Sequence, residues 1–180
     1  MLLRFYLVTP YWRAEDDSAH HPYNLPILEE IYRGIYAAEQ AVFGSTDTDN
    51  WDDVFTVGPS GEIAQQLGLK APAVIVYDFE RQLALFKLEG RQITRANIQA
   101  ACQAAWSLTP NPDLEDGYIT PSGETVGAGE LLNSKPCPSW LPDFLCNSFG
   151  QRQWTGLGLP RWIAWVLIVL LALLAYKMLR

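Results

Sequence analysis

The sequence predicts a mixed α/β domain over residues 1–107, an irregular segment over 108–160 and one C-terminal transmembrane helix over 161–179. Three observations carry this expectation. Runs of period two alternate with runs of helical spacing across residues 3–107. The stretch that follows is dense in proline and glycine yet keeps many large apolar side chains. The chain then reads WIAWVLIVLLALLAY over 162–176, without a charge or a strong hydrogen-bonding group.

Each element has its own signal. Over 3–8, Leu3, Phe5 and Leu7 alternate with Arg4, Tyr6 and Val8, the pattern of a strand. A polar loop occupies 10–23, and Asn24 stands where a helix cap belongs. Leu28, Ile31, Ile35, Ala38 and Val42 then recur at helical spacing until Gly44 stops the helix. STDTDNWDD reads as a surface loop and 54–57 as a short strand. Gly58, Pro59 and Ser60 turn the chain into a helix over 62–67, stopped by Gly68. After Ala71 and Pro72, two β-rich runs separated by Glu80 and Arg81 read as a hairpin. Thr94 caps a last helix, with Ile98, Ala101, Cys102 and Ala105 on one face.

Composition excludes several functions. The chain has 180 residues and a net charge of −7, which argues against a nucleic-acid partner, since phosphate binding needs a basic face. Three cysteines and two histidines are too few for a zinc-finger scaffold. His20 and His21 lie near Glu15, Asp16 and Asp17, but adjacent loop histidines diverge, so a solvated loop or a partner contact is the expected role. DTDNWDD has Trp51 and Asp52 where a calcium loop needs a ligand and a glycine. The glycine turns at 58–61 and 127–129 lack phosphate-loop and dinucleotide spacing. No metal, cofactor or catalytic residue is expected.

The order strand, helix, strand, helix, hairpin, helix brings a family into view. VFTVGPSGEIAQQLGLKAPAVIVYDFERQLALFKLEG resembles the C-terminal half of thioredoxin-like domains, and the resemblance extends in pattern over about residues 3–107. It implies a three-layer domain whose mixed sheet ends in a β-hairpin, with Pro72 as a structural cis-proline facing the site. Redox enzymes of that family carry a C-x-x-C, or at least one cysteine, after the first strand of the core. PYWRAEDDSAHHPYNLP stands in that place without a cysteine. Disulfide exchange needs an activated thiolate, so redox activity is not expected there. Cys102 on its apolar helix face reads as a buried structural residue.

The segment 108–160 holds more large apolar groups than a linker needs. Trp140, Phe144, Phe149 and Trp154 are its candidate partner-binding residues, and SWLPDFLCNSF has the composition of a short amphipathic surface helix. In the expected membrane helix, Trp162 and Trp165 at one end and Tyr176 at the other are placed as interfacial anchors. MLLRFYLVTPYW lacks the apolar core and cleavage site of a signal peptide. A tail-anchored, single-pass membrane protein with a cytoplasmic N-terminal domain is therefore expected. Its expected partners are the lipid bilayer and other membrane-protein subunits. The function this suggests is a non-catalytic accessory or scaffolding subunit of a membrane-embedded assembly. The competing classes are a membrane-tethered thiol protein using Cys137 and Cys146, and a structural membrane protein of a lipid-containing virus particle or secretion machine.

Overall fold

A computed structural model describes residues 1–46 and 49–133. The expectations for Trp140, Phe144, Phe149, Trp154, Cys137 and Cys146, and for the span over 161–179 with Trp162, Trp165 and Tyr176, lie outside the described residues. Met1–Pro136 form one compact unit.

Four strands make the main sheet: β1 (Leu3–Val8), β2 (Trp51–Val57), β3 (Ala73–Asp78) and β4 (Leu83–Glu89), in the order β2-β1-β3-β4. β1 and β2 run parallel, with Phe5 beside Val54 and Val8 beside Val57. β3 runs antiparallel to both neighbours, pairing Val8 with Ala73 and Val74 with Leu88. A parallel pair needs a crossover, and α1 (Leu25–Phe43) supplies it. Gly44 ends α1 at φ 72°, a conformation that glycine adopts without steric penalty.

Alternation along β1 divides the core in two. Val8 joins Ala64, Leu69, Ala73 and Ile75 in a cluster with Tyr6, Val57, Ile63 and Leu67, so α2 (Glu62–Gln66) covers that face. Leu3, Phe5 and Leu7 point the other way and are fully buried. On that side α1 and α3 (Arg95–Trp106) pack together through Ile31, Ile35, Ala38, Ile98 and Cys102, and the ring of Trp51 joins Phe5 to Tyr32 and Tyr36 of α1. Burying each large aliphatic side chain contributes about 1.5–3 kcal/mol. The backbone of α1 comes so close to α3 that a Cβ on Gly34 would lie 2.6 Å from the Ile98 Cβ.

The expected fold class is corrected in two respects. Among the described residues no helix is long and apolar enough to cross a membrane. α1 has the length, at 19 residues, but Glu29, Glu30 and Arg33 give it the charged face of an amphipathic helix. The chain after 107 is also not irregular throughout. β5 (Thr109–Pro110), β6 (Gly117–Ile119) and β7 (Thr125–Gly127) form a second, antiparallel sheet, followed by α4 (Ala128–Leu132). Fully buried Tyr118 and nearly buried Leu131 give this segment a core. The described chain is thus a mixed α/β unit with a four-stranded mixed sheet and a small three-stranded one. A smaller correction concerns β2, which starts at Trp51 rather than 54.

Candidate binding surface at the carboxyl ends of β1 and β2

β1 and β2 are parallel neighbours whose connections leave toward opposite faces, one through α1 and the other through α2. Loops that diverge in this way open a crevice at the carboxyl ends of the strands, where α/β sheets place their sites. The loop after β1 spans 10–23, and the turn after β2 contains Gly58.

Buried polar groups hold the loop. The Thr9 hydroxyl donates to Asn24 Oδ1 at 2.7 Å and accepts from the Tyr11 N–H at 3.2 Å. Asn24 Nδ2 donates to the Ser18 carbonyl, and Thr9, Ser18 and Asn24 are all buried. Asn24 precedes α1 but makes no side-chain cap, because both ends of its amide serve the loop. A polar group taken out of water needs such partners.

This base closes a neck of aromatic rings. Tyr11 stacks on His21 (centroids 4.7 Å apart, planes 12°) and on Tyr23 (4.6 Å, 15°), and His21 lies 5.4 Å from Tyr23. Tyr23 is 65% exposed and Tyr11 42%, so the stack presents its rings to solvent. Trp12, 36% exposed, lies against Gly58; a Cβ at that glycine would sit 2.7 Å from its ring. Beyond the neck, Glu15, Asp16 and Asp17 are exposed, and Asp17 pairs with His20. A loop with close ends, packed by its own side chains, is an Ω-loop, a form frequent at functional sites.

Pro72 lies at the same end of the sheet, since Ala73 pairs with Val8. The Ala71–Pro72 bond is cis, and the Pro72 carbonyl accepts the Gly90 N–H at 2.9 Å. Cys102 is remote from the loop and fully buried in α3. Burial, with the nearby charge of Glu39, pushes its thiol well above the usual range, so it supplies no thiolate. Among the described residues no three histidine, cysteine, aspartate or glutamate side chains converge as a metal site.

Sequence reasoning singled out the loop for its missing cysteine but not Tyr11, Trp12, His21 and Tyr23 as a set. The signal was five aromatic rings, His20 included, within thirteen residues, in a stretch with no apolar periodicity to place them in a core. A second aromatic group, on the face that α2 leaves partly open, is internally paired. The Arg4 guanidinium carbon lies 3.7 Å from the Phe79 ring centroid and 4.7 Å from that of Phe55, and its Nε donates to Asp52 at 2.6 Å.

No family model matches the chain, nor does any curated protein or any solved structure.

Proposed function

We propose that this chain is a non-catalytic accessory or scaffolding subunit that binds a protein partner through the aromatic loop 10–23. The observation that carries the reading is the solvent-facing stack of Tyr11, His21 and Tyr23 on a buried polar base. Exposed aromatic rings are the groups most enriched at interface hot spots, and rings held in place lose little freedom on binding. The sheet order, the antiparallel β3 and the loop without cysteine support a thioredoxin-like design used for binding rather than thiol exchange. A place in a membrane assembly is supported by the sequence alone, through the uncharged run over 162–176.

Co-purification after mild extraction tests the reading. Tyr11→Ala with Tyr23→Ala is expected to lose the partner while the melting temperature stays within a few degrees, because both rings are largely outside the core. Cys102→Ser is expected to keep the partner. Full retention of the partner by the double tyrosine variant would sink the proposal.

A further inference from the structure

We propose that the partner group recognised by this loop is cationic, a lysine- or arginine-bearing segment of another protein. The inference rests on the binding role proposed above and specifies its chemistry. Two independent properties of the same surface point to it.

The first is the exposed ring set. Tyr11, His21 and Tyr23 are stacked nearly parallel, with interplanar angles of 12–23°, and Trp12 stands next to Tyr11 in the chain. Tyrosine and tryptophan faces attract ammonium and guanidinium groups through the ring quadrupole. Arg13 is the loop's one formal cation with histidine neutral, and it is exposed.

The second is charge. Over 10–23, Arg13 stands against Glu15, Asp16 and Asp17, a balance of −2 with histidine neutral. Glu15, Asp16 and Asp17 are exposed, in the lobe that the stacked neck closes. The lobe is shaped by its own backbone, with Asp16 N–H donating to the Arg13 carbonyl at 3.2 Å and Ser18 N–H to that of Asp16 at 2.8 Å. Over 1–160 the chain carries 20 acidic and 10 basic residues, so the wider field has the same sign. Such a surface attracts a basic segment and repels nucleic acid, anionic lipid headgroups and acidic peptides. Rings ordered beforehand, with carboxylates within a few residues of them, suit a long side chain whose stem lies on a ring while its charge meets an acid.

The test titrates the full chain with a lysine-rich peptide, a glutamate-rich peptide and a neutral peptide of equal length, following Trp12 fluorescence against a Trp12→Phe control. The lysine-rich peptide is expected to bind, more weakly as salt rises, with the other two at least about tenfold weaker. Tyr23→Ala, and separately Glu15→Gln with Asp16→Asn, are each expected to weaken that binding about tenfold or more. Circular dichroism of each variant checks that the fold is kept. Equal binding of the lysine-rich peptide by wild type and the charge-neutralised variant would overturn the inference. So would preference for the neutral peptide, or no peptide binding, in a chain whose Tyr11/Tyr23 variant still loses its native partner; either result leaves the binding role standing. If that tyrosine variant also retains its partner, both readings fall together.

Discussion

Asn24 shows how much one buried amide decides. Its Oδ1 takes the Thr9 proton and its Nδ2 reaches the Ser18 carbonyl, so a single side chain ties the end of β1, the short helical turn at 18–20 and the start of α1. Asn24→Ala would leave a buried hydroxyl and a buried carbonyl without these partners, at a cost of about 1–3 kcal/mol. The expected outcome is a lower melting temperature together with faster amide hydrogen exchange over 10–23. Asn24→Asp is expected to do nearly as much harm, since it keeps the acceptor for Thr9 but loses the donor for Ser18. Unchanged exchange in the loop would show that the rings alone hold it. The residue type was legible in the sequence; its use was not. An asparagine before an apolar helical run reads as a cap, and only the fold brings Thr9 and Ser18 within its reach.

At the scale of elements, the close crossing of α1 and α3 turns on Gly34. Alanine normally favours a helix over glycine by about 1 kcal/mol. Here its Cβ would lie 2.6 Å from both Cβ and Cγ2 of Ile98 and 3.0 Å from the Arg95 carbonyl. Overpacking of this kind costs about 1–3 kcal/mol, so Gly34→Ala is expected to destabilise despite the gain in propensity. Ile98→Ala would remove the Cγ2 contact but keep the Cβ 2.6 Å away, and would cost buried packing of its own. The double variant is therefore expected to be less stable than either single one, by less than the sum of the two losses in denaturant melts. Additive effects would mean that the helices simply move apart.

The same scale explains what the sequence made legible. β1, α1, the β3–β4 hairpin and α3 each carry enough residues of one period to show their buried face. The start of β2 does not, because Asp52 and Asp53 lie exposed on an edge strand, one bonded to Arg4 and the other to Tyr32, and show no apolar alternation. Only pairing with β1 makes them strand, and pairing is not a local property. β5, β6 and β7 are two or three residues long, too short for an alternation to register.

For the molecule as a whole, the question is what fastens the small sheet to the large one, and the answer centres on the hairpin turn between β3 and β4. Arg81 donates to the carbonyls of Gly117 (2.6 Å), Leu114 (2.7 Å) and Glu115, and its guanidinium carbon lies 4.8 Å from the Tyr118 ring centroid. The Tyr118 hydroxyl donates to Asp78 Oδ2 at 2.8 Å, while Asp78 Oδ1 accepts the N–H groups of Glu80 and Arg81. Burial, reinforced by the Asp78 hydrogen bond, lifts the Tyr118 phenol well above the ordinary tyrosine range, so it remains a donor at any physiological pH. A planar fork suits three carbonyls and a ring at once, and an ammonium on a flexible stem does not. Arg81→Lys is therefore expected to behave nearly like Arg81→Ala, each costing about 2–3 kcal/mol as bonds to a charged donor are lost. Hydrogen exchange locates the loss: protection should fall over 109–127 and persist in β1 and β3. Tyr118→Phe should lower the same segment, and its combination with Arg81→Ala should fall short of additivity, because both hold one joint. Loss of protection spread evenly through the main sheet would instead make the two sheets a single cooperative unit, with Arg81 only one contact among many.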